Sequence, residues 1–258
     1  MFELENFDLK LNTDLIGRNF IYAEEIDSTN SFLLDKNNKN LPDGTVVFAE
    51  KQNKGRGRKD RVWYSVKDQN LNFSILLVNK KYLGKNINII NLASSLAVAQ
   101  AIENLFQLNT NLKWPNDVLI KKKKVCGILL EASSQGSKIE RLVIGIGINV
   151  NQTLFQGSFN IPPTSLKLEA NENIERERLL AEILNIFEEL LQKINTEPEV
   201  VLKDWKARCR MIGEKIEVSD DKVTKYGIFD DIDEDGFLLL KTKDKKIEKI
   251  HFGDVSIL

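Results

Sequence analysis

The pattern of the chain changes after Gly213, and that change limits the fold more than any other feature. Upstream, strand-like runs are interspersed with long helical patterns; downstream there are only short strand-like runs, KIEVS, KVTKYGIFDDI, GFLLLKT and KKIEKIHF. The Asp235-Gly236 pair marks a hairpin-type turn among them. With 258 residues the chain can bury one large core and carry a small appendage. We therefore expect an α+β protein divided near Ile212. Residues 1–211 form a mixed β-sheet with flanking helices, and residues 212–258 form a small β-barrel-like module.

Within the first part, Thr45–Glu50 (TVVFAE) and Leu71–Val78 (LNFSILLV) are rich in β-branched and aromatic residues and read as buried strands. The polar, glycine-bearing stretch between them is long for a connection, which makes it a candidate functional loop. Apolar residues at Leu92, Leu96, Ala99, Ile102, Leu105 and Phe106 predict an amphipathic helix from Leu92 to Leu108. Ser28 or Thr29 can cap a short helix over Asn30–Lys36. DVLIK, KVCGILLEAS and ERLVIGIGINVN predict three strands joined by short polar turns. A regular helix over Arg178–Ile194 aligns Leu179, Ile183, Ile186, Leu190 and Ile194, and Pro198 opens another through Val200–Arg208.

Net charge is −1, so no global field draws the molecule onto nucleic acid or an anionic membrane. An anionic ligand must be met by local clusters of Lys and Arg. Cys126 and Cys209 form no CxxC pair and offer no metal spacing, so a reducing interior is the simplest reading. The start MFELENFDLKLN is acidic and polar, unlike a signal peptide, and no apolar run is expected to reach membrane-spanning length. The expected location is cytoplasmic, with no membrane partner.

Three clusters carry chemistry. In the loop Gln52–Trp63, Gly55 and Gly57 permit close approach of backbone to a ligand. Arg56, Arg58 and Arg61 can grip phosphate or carboxylate oxygens in a two-pronged way, and Trp63 offers a flat face. RG-rich loops can equally be solvated surface or bind nucleic acid nonspecifically. The second cluster is Lys113-Trp-Pro-Asn-Asp117, followed by Lys124 and Gly127. Pro115 stiffens the turn, which sets Asn116 and Asp117. Asp117 can either help hold Mg²⁺ or act as a turn aspartate bonding its own backbone. Of Lys121–Lys124, three read as a solvated strand end; Lys124 opens the apolar segment Val125–Leu130 and lies nearest the core. In the third cluster, Gly145-Ile-Gly-Ile-Asn149, glycines interrupt a bulky strand, as a closely approaching ligand or backbone would require. No third glycine or helix start follows, so a dinucleotide fingerprint fails. His251 lacks a partner motif and reads as structural.

Asp27-Ser-Thr-Asn30, GRGRxxRxW (Gly55–Trp63), KWPND (Lys113–Asp117), Lys124-Val-Cys-Gly-Ile-Leu-Leu-Glu131 and GIGINV (Gly145–Val150) together resemble the biotin–protein ligases, in the family's order and at compatible distances. The resemblance runs from about residue 20 to the end. It implies a catalytic domain like that of class II aminoacyl-tRNA synthetases and a C-terminal SH3-like β-barrel. It also implies that biotin and ATP form biotinyl-5′-AMP and that the biotin passes to a lysine of a biotin carboxyl carrier protein, an acetyl-CoA carboxylase subunit. By resemblance, Ser28, Thr29, Asn30 and Gln52 receive the ureido head of biotin, and Arg56, Gly57 and Arg58 fold over biotin and the adenylate. Lys124 reaches the biotin carboxylate and the α-phosphate. Arg58, Arg61, Trp63, Asn116, Asp117 and Asn149 surround ATP, with Asp117 toward Mg²⁺; Lys124 and Arg58 are the expected catalytic pair.

Asp60 stands where the family more often has glycine, and an acidic side chain there can weaken triphosphate affinity or pair with a neighbouring Arg. Only about twenty residues precede the matching region, too few for a three-helix DNA-binding domain, so no sequence-specific DNA binding is expected. A lipoate–protein ligase shares the Asn-Asp pair and strand lysine, but its loop usually carries three successive glycines, absent here. An RNA-binding module is disfavoured by the near-zero charge and the lack of an aromatic stacking platform. A non-catalytic biotin or nucleotide sensor would show no biotin-dependent ATP–pyrophosphate exchange.

Overall fold

The computed structural model describes residues 2–84, 87–136, 138–220 and 223–258; Met1 of the opening segment and Lys222 of the expected strand KVTKYGIFDDI lie outside them. Along the chain run α1 (Leu4–Asp8), β1 (Phe20–Ile26), α2 (Thr29–Leu34), β2 (Val46–Gln52), β3 (Leu71–Leu77), α3 (Ile87–Phe106), β4 (Thr110–Lys113), β5 (Asp117–Ile120), β6 (Lys123–Gln135), β7 (Lys138–Ile148), α4 (Leu166–Ala170), α5 (Arg176–Thr196) and α6 (Pro198–Arg208). Then come β8 (Lys215–Ser219), β9 (Thr224–Ile232), β10 (Leu238–Lys241), β11 (Ile247–Ile250) and β12 (Asp254–Ile257). The first sheet has the order β1-β2-β3-β7-β6-β5-β4, with β1 and β2 parallel and every other pair antiparallel. The second sheet, β11-β10-β9-β8-β12, is wholly antiparallel.

Helix α2 is capped by Ser28, whose Oγ accepts from the Ser31 amide. Helix α5 follows its apolar stripe. Leu179, Ile183, Leu190 and Ile194 are buried and Ile186 is partly so; each fully buried aliphatic side chain contributes about 1.5–3 kcal/mol.

Helix α3 departs from expectation. Between Ile89 and Ile102 it is buried on nearly every side, Ser94 and Ser95 included, because α5 and α6 pack on it as well as the sheet. Its serine hydroxyls are satisfied without water: Ser94 and Ser95 donate to the carbonyls of Ile90 and Leu92, and Trp205 Nε1 donates to Ser95 Oγ at 3.1 Å. The helix is long and apolar enough to cross a membrane, contrary to the expectation that no run would be. Here its apolar surface is covered by protein.

The opening segment is also part of the core, since Phe2, Phe7, Leu11 and Ile16 are buried. The two sheets meet around the β4–β5 turn. Trp114, joined to Pro115 by a cis peptide, is buried and donates from Nε1 to the Gly236 carbonyl at 3.2 Å. Asp235 and Gly236 lie in a turn wider than the two-residue type, closed by Asp233 N–H to the Phe237 carbonyl at 2.9 Å, with Gly236 at φ +83°.

Candidate active site

The loop after β2 folds back as a small hairpin. Gly57 N–H donates to the Arg61 carbonyl at 2.7 Å and Trp63 N–H to the Gly55 carbonyl at 2.9 Å. At its tip Lys59 and Asp60 have φ of 53° and 56°, the left-handed region that glycine enters without steric cost. A glycine at position 60 would meet no such cost. Among the described residues Asp60 forms no ion pair, so the pairing with a neighbouring arginine that its charge suggested is not made.

This hairpin, the N-terminus of α2, the β4–β5 turn, the starts of β6 and the ends of β7, and β12 enclose a cavity of about 550 Å³. Ser28, Thr29, Asn30, Gln52, Arg56, Gly57, Arg58, Arg61, Trp63, Asn116, Asp117, Lys124 and Asn149 all border it. His251 does not; it sits edge-on to Phe237, ring centroids 4.5 Å apart. Five cationic side chains line the space against two carboxylates, Asp117 and Asp254. A chain of net charge −1 thus concentrates positive potential at one place.

Two polar floors hold the site. Thr29 N–H and Oγ1 both donate to Gln52 Oε1, at 2.9 and 3.1 Å. Ser74 Oγ lies 2.6 Å from Thr29 Oγ1 and 2.5 Å from Asn30 Oδ1. Asn30 Nδ2 donates to the Leu129 carbonyl and Glu131 Oε2. Glu131 in turn receives both guanidinium nitrogens of Arg56 at 2.9 Å, a two-pronged bond. Asn30 is therefore engaged at both ends of its amide, and it orients Glu131 and hence Arg56.

On the other side, Lys124 Nζ lies 2.6 Å from Asp117 Oδ1 and 5.8 Å from the Trp63 ring centroid. Asn116 accepts from Arg58 at 3.2 Å and donates to the Ile128 carbonyl; Asn149 donates to the Thr164 carbonyl at 3.0 Å. Burial lowers the affinity of the Arg58 guanidinium for its proton, opposed by the charges of Asp254 and Asp117.

The glycines of β7 have a different reason from the one expected. A Cβ at Gly145 would come within 2.3 Å of Asn30 Oδ1, and one at Gly147 within 2.3 Å of Trp63 Cε2. The protein's own side chains, rather than a ligand or backbone, lie on that strand. Trp63 is anchored there by its Nε1, which donates to Asn72 Oδ1 at 3.1 Å.

Sequence reasoning gave no role to Asp254, Lys113, Glu131, Ser74 or Asn72. Asp254 comes from β12, four residues too short to register as a strand, yet it pairs with Arg61, Arg58 and Lys59. Burial opposes its charge, but the hydrogen bond and charge of Arg61, with Arg58 and Lys59, hold the carboxyl below its ordinary value. Lys121 and Lys123 pair with Glu169 outside the cavity.

The profile of the biotin/lipoate A/B protein ligase family matches residues 22–149, and that of the biotin protein ligase C-terminal domain matches residues 211–258. The bifunctional ligase/repressor BirA of Bacillus subtilis is 36% identical over 250 residues, 96% of this chain and 76% of that protein. The biotin–[acetyl-CoA-carboxylase] ligase of Paracoccus denitrificans is 31% identical over 222 residues, 83% of this chain and 91% of its own. The chain belongs to the biotin protein ligase family. Among solved structures, the Aquifex aeolicus biotin protein ligase in complex with biotin and ATP matches this ligase with a TM-score of 0.82 at 30% identity. That match covers 93% of this chain and 99% of the other. The mixed sheet with helices is thus the fold of the biotin protein ligases, and the second sheet is the C-terminal module of the family.

Proposed function

We propose that this ligase joins biotin to ATP, forming biotinyl-5′-AMP, and transfers the biotinyl group to a lysine of a biotin carboxyl carrier protein. The observation that carries the reading is the convergence of Arg56, Arg58 and Lys124 on one cavity beside the Thr29–Gln52 polar floor. In the first step a carboxylate oxygen of biotin bonds to the α-phosphorus of ATP as the bond to the bridging oxygen breaks and pyrophosphate leaves. Two anions must approach. Lys124, held in place by Asp117, and Arg58, held by Asn116, stand ready to offset that repulsion and the charge that builds in the transition state.

Gln52 accepts from Thr29 through Oε1, which leaves its amide NH₂ as a donor toward the cavity for a cyclic urea. Trp63, seated on Gly147, covers the floor and excludes water that would hydrolyse the mixed anhydride. In the second step the neutral lysine amine attacks the acyl carbon and AMP leaves.

A magnesium ion fits as a companion of ATP rather than as a resident of the protein. Among the described residues no group of three His, Cys, Asp or Glu side chains is placed to hold a metal; Asp117, whose Oδ1 pairs with Lys124, would supply one carboxylate to a Mg²⁺ that arrives with the nucleotide. When bound it would neutralise phosphate charge.

Phe2, Phe7, Leu11 and Ile16 anchor the opening segment in the core of the first sheet's domain, which supports reading this segment as part of the ligase unit with no role in operator binding. Tight, salt-resistant retardation of a single operator in a gel shift reverses that. Both cysteines are free and buried, which supports a reducing, cytoplasmic setting. The test of the main reading is to mix protein, biotin, Mg-ATP and a carrier domain and look for the biotin mass increment on the carrier. Absence of the increment together with absence of biotin-dependent ATP–pyrophosphate exchange overturns it.

A further inference from the structure

Strand β7 faces the main core on one side and a smaller one on the other. Leu142, Ile144 and Ile146 belong to the main core, whereas Val143 joins Val47 and Leu76 in a satellite core with Leu33 of α2. Alternate residues of a strand share a face, so Arg141, Val143, Gly145 and Gly147 form one row on the α2 side. Gly147 seats Trp63, Gly145 leaves room for Asn30 at the start of α2, and Val143 packs in the cluster with Leu33. Arg141 reaches the far end of the helix. Its Nη1 donates to the carbonyls of Leu33 at 2.7 Å and Asp35 at 3.2 Å, and its Nη2 to that of Asn38 at 2.6 Å.

Buried charges are ordinarily paired with an opposite charge. Arg141 is only 7% exposed, yet its partners are three carbonyl oxygens. Two of them lie at the C-terminal end of α2, where the last carbonyls have no helical partner and the helix dipole favours a cation. Helix α2 has six residues, and Leu33 is its one fully buried apolar side chain. A helix this short does not hold its own place in water. Strand β7 advances about 13 Å from Arg141 to Gly145, and α2 is about 9 Å long, so a single strand meets both ends of the helix. Thr29 and Asn30 stand at the end away from Arg141, where they are bonded to Gln52 and Glu131.

We propose that Arg141, which does not border the cavity, is a positioning residue for the urea end of the site: it fixes the C-terminal end of α2 and so keeps Thr29 and Asn30 in register with Gln52 and Glu131. The ligand in this statement rests on the biotin reading above; the clamp on α2 does not. Arg58, Asn116, Asp117 and Lys124 lie on the hairpin after β2, the β4–β5 hairpin and β6, none of which Arg141 bonds. The two substrates therefore separate positioning from a general loss of structure.

The test compares wild type with Arg141→Met, which removes the forked donor, and with Arg141→Lys, which keeps the charge but not the fork. Measured are the KM for biotin and for ATP in pyrophosphate exchange, biotin affinity by calorimetry, and hydrogen exchange of the peptide spanning α2. Arg141→Met is expected to weaken biotin binding and raise the biotin KM by about tenfold or more while the ATP KM stays within about twofold. Exchange should quicken in α2 and not in the strands beneath it. Arg141→Lys is expected to fall between Arg141→Met and wild type. Unchanged biotin affinity in Arg141→Met overturns the proposal, as does an equal rise of both KM values with exchange quickened throughout the sheet. Should Arg141→Met not fold, Arg141→Lys decides alone: a biotin KM raised about threefold at constant ATP KM supports the proposal, and an unchanged one overturns it. A wild type that binds no biotin, with α2 exchange still quickened by Arg141→Met, sinks the biotin reading and leaves the clamp in place.

Discussion

Gly127 and Gly147 face each other across β6 and β7, and Trp63 rests on both: a Cβ would lie 3.3 Å from the ring at Gly127 and 2.3 Å at Gly147. Gly147→Ala must therefore displace the indole or the strand, and the ring is the softer of the two. The variant should lose the Trp63–Asn72 bond, shift tryptophan emission to the red and lose about 1–3 kcal/mol of stability. An unshifted spectrum would mean that the ring does not rest on the strand in solution. Lys124→Ala removes a charge whose protein partner, Asp117, faces the cavity rather than the core. Adenylate formation should fall on the order of 10²–10³ while Tm changes little; wild-type rates would remove Lys124 from the mechanism. Arg58→Ala unties the loop from Asn116 and Gly253. The bound adenylate should then dissociate faster in a chase with unlabelled biotin, and an unchanged lifetime counts against the loop as a cover.

At the scale of elements, α5 shows how a long-range tie can be as firm as a core contact. Its buried Glu188 accepts the backbone N–H groups of Asp14, Leu15 and Ile16 at 2.7–2.9 Å. Glu188→Ala strands those donors, and at the worth of hydrogen bonds to a charged group the loss should be roughly 3 kcal/mol or more in urea unfolding. Loss of only a few tenths would mean that water replaces the carboxylate. Nothing in the sequence around residues 14–16 announces that partner, since the contact spans more than 170 positions. What was legible had a local cause: α5 by its 3.6-residue stripe, α2 by its Ser28 cap, β2 and β3 by β-branched runs. Strands β1, β4 and β12 were not, being short or on the margin of a sheet, where neighbours rather than composition decide the pairing. The encirclement of α3 was hidden because Ala and Ser beside the apolar stripe look solvent-facing until two more helices cover them. The cavity residues followed from motif order, but Asp254 and Lys113 required the second sheet and the β4–β5 pairing to be seen.

For the whole molecule, the consequence is that the C-terminal module closes the site electrostatically. Asp254 lies on β12, beyond residue 213, and its carboxylate pairs with three cations of a loop that begins at Gln52. Those are the side chains that a triphosphate would claim, so the carboxylate and the nucleotide compete for the same donors. Asp254→Asn should therefore tighten binding of inorganic tripolyphosphate, and it should steepen the salt dependence of that binding as more unneutralised charge meets the anion. The same variant should be less stable at neutral pH, with the sign set by linkage. The folded-state carboxyl titrates below its ordinary value of 3.8. The contribution is therefore complete above that value and is lost as the pH falls through the lower, folded-state one. Wild type and Asp254→Asn should differ by a constant amount from pH 8 to about pH 5 and converge in stronger acid. A stability difference that grows as the pH falls would overturn the linkage, and tripolyphosphate binding weakened by the substitution would show that Asp254 supports the loop's phosphate grip rather than competing with it.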